Sequence, residues 1–369
     1  MLRRNNAALL IFLLTTFLLA YSQTAGVPST QSQSSTQTQP PTQTPSAPTP
    51  PPVPTPPVAG APQSTSPTPA PAAPPNGAQN PESDDSGTFV FKKEVDEVVL
   101  HATVVDNKQH IVTNLGKNNF TVYEDGHPQA ITSFRHEDIP VAMCIVVDNS
   151  GSMREKREKV NAAALNLVRA SNPNDEVCVV NFNDEYYLDQ DFTSNINKLK
   201  AGLEKIETRG GTALYDAVVA SAVHLKDDAK LEKKVIFVVT DGDDNESSET
   251  LDQAVRRLQT ENGPAVYAIG LLEGEEHVRH ARRALQVMCE RTGGIAFLPR
   301  TLDEVDAISR SVAHDIRSQY TIGYKPATAR SQGGYREIKV DAKSDKHDKL
   351  IVRTKSGYYA GPEPASGAQ

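Results

Sequence analysis

The stretch Val141 to Met153, VAMCIVVDNSGSM, decides the fold. It opens with seven apolar residues, several of them β-branched, that show no alternation. That pattern reads as a strand buried on both faces, as in a parallel sheet covered by helices. The run stops at Asp148. One carboxylate and two hydroxyls, from Ser150 and Ser152, follow on a tight turn in which Gly151 lets the backbone bend sharply. A charged stretch and an amphipathic helix come next, over about 154–170, with Val160, Ala164, Leu167 and Val168 as its buried stripe. Open α/β sheets hold their ligands at this carboxyl edge.

Oxygens grouped in this way suit a hard divalent cation. Mg²⁺ prefers near-octahedral oxygen coordination and keeps several waters, so a few protein oxygens suffice. Two later stretches extend the set. Arg209 to Thr212 is a glycine-rich loop expected to open a helix at Thr212. Val235 to Thr240 is a second apolar strand, ending in Asp241. Asp148, Ser150, Ser152, Thr212 and Asp241, in that order, resemble the metal-ion-dependent adhesion site of von Willebrand factor type A domains. The resemblance implies that the three hydroxyls coordinate Mg²⁺ directly, with Mn²⁺ or Ca²⁺ as alternatives. Asp148 and Asp241 would act directly or through water, and an Asp or Glu of a protein ligand would complete the shell. The plainer reading is that these are turn and cap residues, which Ser, Thr and Asp favour in any case.

Strands and helices alternate from Ile139 to Ser318, so a doubly wound, mostly parallel α/β sheet is expected over 138–318. A short edge strand is expected at Tyr186 to Asp189. Short strands flank this region, at Val98 to Val104, His110 to Thr113, Phe120 to Tyr123 and Gln129 to Phe134. They return at 319–324, 335–342, 349–354 and 358–359. A few strands make a poor domain alone, so segments 88–137 and 319–360 are expected to pack into one β-sandwich with the α/β unit inserted. Val95, Asp96 and the run Ala102 to Asp106, the run Asn119 to Gly126, and Lys355 to Tyr358 are similar to the flanks of VWFA-related proteins of Acidobacteria. That resemblance covers about 88–360.

The first 22 residues read as a secretory signal, with Arg3 and Arg4 before an apolar core and small residues before Gln23. An uncleaved anchor is the alternative. No later run is long and apolar enough to span a bilayer. The segment 23–87 is a tether: Val27 to Glu82 holds 18 of the 26 prolines and no Phe, Tyr, Leu or Ile. Such a composition cannot offset its chain entropy by burial and favours extended polyproline II. A short tail, 361–369, ends the chain. The expected location is secreted, periplasmic or on the cell envelope.

A net charge of −8 gives nucleic-acid binding no support. Of the three cysteines, Cys144 and Cys178 fall in neighbouring expected strands. A bridge and two small core residues are both open readings, and the second is preferred. No enzyme is expected, because the chain shows neither a Gly-x-Ser-x-Gly elbow nor a paired Asp-Ser/Thr-Gly motif. His277 and His280 share a helix face without a third ligand, and Asp243 and Asp244 read as solvated charges. The leading functional expectation is a metal-dependent protein-binding module. A structural role in the envelope is the alternative, and a metal-dependent hydrolase is the third. Partner identity and oligomeric state are not legible.

Overall fold

The computed structural model describes residues 97–205, 207–272 and 277–361, all within the unit Gly87–Gln369. The expected signal, the tether, the start of the first sandwich segment and the tail beyond 361 lie outside the described residues. Among the described residues no helix is long and apolar enough to cross a membrane.

The chain enters through β1 (Val98–Asp106), β2 (Phe120–Glu124), β3 (His127–Gln129) and β4 (Ile131–Arg135). His110 to Thr113 is no strand, because one bridge alone pairs Ile111 with Val105. The Asp106 carboxylate takes the N–H groups of Lys108 and His110 into a local turn, and such side-chain acceptors compete with ladder formation. The expected strand Gln129 to Phe134 also divides, with β3 and β4 in different sheets.

The α/β unit follows. It comprises β5 (Val141–Asp148), α1 (Arg157–Ala170), β6 (Glu176–Phe182), β7 (Tyr186–Thr193), α2 (Ile196–Leu203), α3 (Leu214–Asp227), β8 (Lys233–Thr240), α4 (Leu251–Leu258), β9 (Ala265–Gly270), α5 (His277–Thr292), β10 (Ala296–Phe297) and α6 (Glu304–Arg317). Its six strands run in the order β10-β9-β8-β5-β6-β7, parallel except for β7, an antiparallel edge longer than expected. Side-chain alternation on β5 explains the double winding. Val141, Met143, Ile145 and Val147 pack with α1, α2 and α6, while Ala142, Cys144 and Val146 pack with α3, α4 and α5. Both faces are buried, so every position from Val141 to Val147 is apolar.

Cys144 and Cys178 stand opposite each other on β5 and β6, with Cα atoms 4.6 Å apart, and form a disulfide. The preferred expectation of two free core thiols is thereby corrected. Cys289 alone is a free buried thiol, and burial pushes it above its ordinary range.

The last strands are β11 (Tyr320–Tyr324), β12 (Gly334–Ala342), β13 (Leu350–Arg353) and β14 (Gly357–Ala360). With the first four they make two antiparallel sheets, ordered β13-β1-β11-β4 and β14-β12-β2-β3. Their inner faces share one core of Val98, Leu100, Val122, Tyr320, Ile322 and their neighbours. Each sheet thus takes two strands from the N-terminal segment and two from the C-terminal one, and neither segment could form it alone. A polar quartet sits in this core. Arg336 donates to Glu124 (3.1 Å), and the hydroxyls of Tyr324 and Tyr358 both donate to the other Glu124 oxygen. Burial and the adjacent carboxylate push both phenols far above their usual range.

Arg336 and Glu124 are each 3% exposed. Removing one partner of such a pair leaves a charge buried without compensation. Arg336→Met is expected to lower unfolding stability in urea by about 3–5 kcal/mol, against no change for Lys339→Met on the exposed face; equal midpoints would refute this. Thiol titration of the denatured, unreduced chain should find one reactive cysteine, rising to three after reduction.

Candidate functional site

Strand β5 has β6 on one side and β8 on the other, so the chain leaves it in opposite directions. Ligands in open α/β sheets collect at such switch points, outside the carboxyl ends of the strands. Asp148 is the last residue of β5 and is fully buried. Its carboxylate is held from two directions: Thr240, the last residue of β8, donates its hydroxyl (2.6 Å), and the Ser150 N–H donates to the other oxygen (2.7 Å). Burial pushes the Asp148 carboxyl above its ordinary range, those hydrogen bonds pull it back, and the charge of Asp241 adds to the rise.

From there the oxygens form a row. The hydroxyls of Ser150 and Ser152 are 3.1 Å apart, and Ser152 donates to Asp241 (2.8 Å). The second oxygen of Asp241 accepts from Lys156 Nζ (2.8 Å), and the Asp241 side chain is 1% exposed. The Arg157 guanidinium, also buried, donates to Asn181 Oδ1 and to the Leu203 carbonyl. Burial lowers its pKa to about 10 while Asp148 opposes that fall, so it remains a cation at neutral pH.

Thr212 does not itself start a helix. α3 begins at Leu214, and Thr212 lies in the loop before it. Asn245 clamps that residue: its side chain accepts the Thr212 N–H (2.8 Å) and its own N–H donates to the Thr212 carbonyl (3.0 Å). The Thr212 hydroxyl packs against Gly242, where an added Cβ would approach it to 3.2 Å. The glycine-rich loop is tied down in turn. The Gly210 carbonyl accepts from the Gly151 N–H (3.2 Å), and Asp184 accepts the Gly211 N–H. Gly210 has φ +70°, and a side chain there would run into the Asp184 carboxylate.

Four of the five expected residues are therefore linked through direct hydrogen bonds, and Thr212 adjoins them beside the loop that follows Asp241. The donor set fits a hard cation, since it is all oxygen and rich in hydroxyls. Among the described residues no group of three or more His, Cys, Asp or Glu is placed to hold a metal ion. Sequence reasoning missed Thr240, Lys156, Arg157 and Asn245. Thr240 was legible in principle, because a hydroxyl at the end of an apolar strand beside β5 has a carboxylate within reach. Asp244 was read as solvated and is not. It accepts from the Tyr215 N–H and the Ser247 hydroxyl, fastening its loop to the first turn of α3. His280 is exposed.

Residues 143–243 match the family model described as von Willebrand factor type A domain. The matched span lies within the α/β unit and holds all five expected site residues. Comparison with curated proteins returns no match. Among solved structures, the chain is similar to a von Willebrand factor type A protein from Catenulispora acidiphila, at 13% identity over 73% of this chain and 75% of that one, with a TM-score of 0.40. It is also similar to an aerotolerance-related membrane protein from Bacteroides fragilis, at 21% identity over 48% of this chain and 98% of that one, TM-score 0.39. The PilB minor pilin from Streptococcus sanguinis is matched at 14% identity over 52% of this chain and 64% of the pilin, TM-score 0.42.

The hydroxyl of Thr240 is the one side-chain donor to Asp148 from the neighbouring strand. Thr240→Val keeps the shape and removes that donor, so it should destabilise the metal-free protein by about 1–3 kcal/mol. Thr240→Ser, which keeps the hydroxyl, should lose less. Chemical denaturation of the two variants in EDTA checks this, and a valine variant as stable as wild type would refute it.

Proposed function

We propose that this chain is a secreted or envelope-associated protein-binding module whose binding is metal-dependent. The observation that carries the reading is the row of oxygens from Ser150 and Ser152 to Asp241, beside the buried Asp148, at the open carboxyl edge of the sheet. Ser150, Ser152 and Thr212 would hold a divalent cation through their hydroxyls, and Asp148 and Asp241 would do so directly or through water. The cation, Mg²⁺ first and Mn²⁺ or Ca²⁺ as alternatives, supplies an electrophilic coordination position for a carboxylate of a partner protein.

Charge explains why the missing ligand should be anionic. Lys156 pairs with Asp241, and Arg157 lies within electrostatic reach of Asp148. The chain's own carboxylates are thus already offset by its own cations. A loaded site keeps excess positive charge, and a partner's Asp or Glu balances it. Asn245 and Asp184 hold the loop carrying Thr212 at the rim, so the chain brings a preorganised surface to the encounter. Binding rather than catalysis is the role these residues support, since the Ser150 and Ser152 hydroxyls bond to each other and to Asp241 rather than to a histidine base.

Metal addition should raise the unfolding temperature of wild type, and Asp148→Asn or Thr212→Ala should abolish that rise. A column carrying residues 83–369, challenged with extract of the source cells' envelope and medium, should then retain a protein in Mg²⁺ but not in EDTA. Thr212→Ala, once shown to be folded, should retain none in either buffer. Retention that is identical across all three conditions would sink the proposal. A metal-induced stabilisation without any captured protein would leave a structural role for the cation.

A further inference from the structure

We propose that a crevice at the opposite, amino-terminal edge of the α/β sheet, where it meets the β-sandwich, is an anion site that takes a phosphate group. The crevice measures about 390 Å³ and is bounded by the starts of β8 and β9, by β1 and by Lys355. That volume falls within the range of small-ligand sites, roughly 300–1,000 Å³.

Two lysines on its wall make the case. Lys233 is 4% exposed and its ammonium donates to the Ile316 carbonyl (2.5 Å). The ammonium of Lys355 donates to the Glu261 carbonyl. Each group has three donors, and among the described residues each meets one acceptor and neither has a carboxylate within ion-pair distance. Burial lowers both to a pKa of about 8, so both are still mainly cationic at neutral pH. A buried charge lacking an ion-pair partner is costly. Asp138, Asp175 and Asp315 act on Lys233 only from a distance.

The surroundings add to the positive field. His101 lies on the same wall, and burial first, then the charges of Lys233, Lys355 and Arg135, keep its imidazole neutral, well below its usual pKa. Arg135 stands at the mouth, 59% exposed, with Glu137 as a distant partner at 4.0 Å. In all, five cationic side chains line the crevice against three carboxylates. Of those carboxylates, Glu261 is paired with Arg330, and Glu97 accepts the Thr132 hydroxyl.

A phosphate suits this wall better than a single carboxylate does. Its several acceptor oxygens can take N–H groups from two ammonium ions and a guanidinium together, and its double charge answers both lysines. Free phosphate and a phosphomonoester share that chemistry.

The test is calorimetric titration of the full chain in EDTA, which keeps divalent cations out of the opposite edge. Inorganic phosphate and a hexose phosphate are the probes, with the unphosphorylated hexose and chloride as controls. Saturable binding of phosphate is expected, weakened about tenfold or more by Lys355→Met and by Arg135→Ala, and unchanged by Thr212→Ala. Tighter binding of the ester than of free phosphate would identify an esterified ligand, and the reverse order the free ion. If Lys355→Met does not fold, Arg135→Ala at the exposed mouth carries the comparison alone. The proposal is overturned by no saturable heat from either probe, by binding that both folded variants leave intact, or by binding that Thr212→Ala removes.

Discussion

A carboxylate with no exposed surface ends the central strand, and the rest of the molecule is arranged to keep it there. Asp148 could not remain ionised in an apolar interior without donors fixed in advance. The parallel sheet supplies one, because β8 runs beside β5 and finishes at Thr240. The turn after β5 supplies another in the Ser150 N–H. α1 then brings the Arg157 guanidinium within electrostatic reach. Each of these donors or charges is held by backbone structure, so the polar cluster has little freedom to reorganise. That rigidity is what a preorganised binding site requires.

The sandwich contributes by closing off one edge of the sheet and leaving the other open. α6 ends at Arg317 and β11 starts at Tyr320, so the α/β unit passes directly into the sandwich. Asp315, on the last turn of α6, accepts from Tyr267 on β9, Thr103 on β1 and Arg353 on β13. Gln259 makes a second node: its side-chain amide meets carbonyls of Arg291 and Gly357 and hydroxyls of Tyr335 and Ser356. Buried polar nodes of this kind are satisfied in one relative placement of the two parts, which makes them specific rather than merely adhesive.

Most of this architecture was legible because its strongest signals are local. A run of seven apolar residues, rich in β-branched side chains and closed by a turn, is short for a helix and reads as a strand buried on both faces, and the amphipathic period of α1 marks a helix. The sandwich followed from a need to bury short strands that could not do so alone. What escaped the sequence was set by competition or by distance along the chain. His110 to Thr113 has strand-like residues, yet the Asp106 carboxylate captures the neighbouring N–H groups first. The Cys144–Cys178 bridge depends on register between two strands, which pattern does not reveal. At the site, the five oxygen donors form a recognisable succession, whereas Asn245 and Lys156 act through contacts spanning tens of residues. Neither carries a spacing that would mark it.

The two edges of the α/β sheet are chemically opposite, and one strand joins them. β8 begins with Lys233 at the amino edge and ends with Thr240, which holds Asp148 at the carboxyl edge. Seven residue steps of about 3.3 Å separate them by about 23 Å. Through solvent this is more than twice the screening length of about 8–10 Å at physiological salt, so charge at one edge is weakly felt at the other. The strand itself is enclosed by helices on both faces and paired with β5 and β9 along its length, and so close-packed an element deforms little. A cation at one edge and an anion at the other would therefore bind independently. Coupling between them would need the α/β unit to move against the sandwich, and the Asp315 and Gln259 nodes oppose that motion.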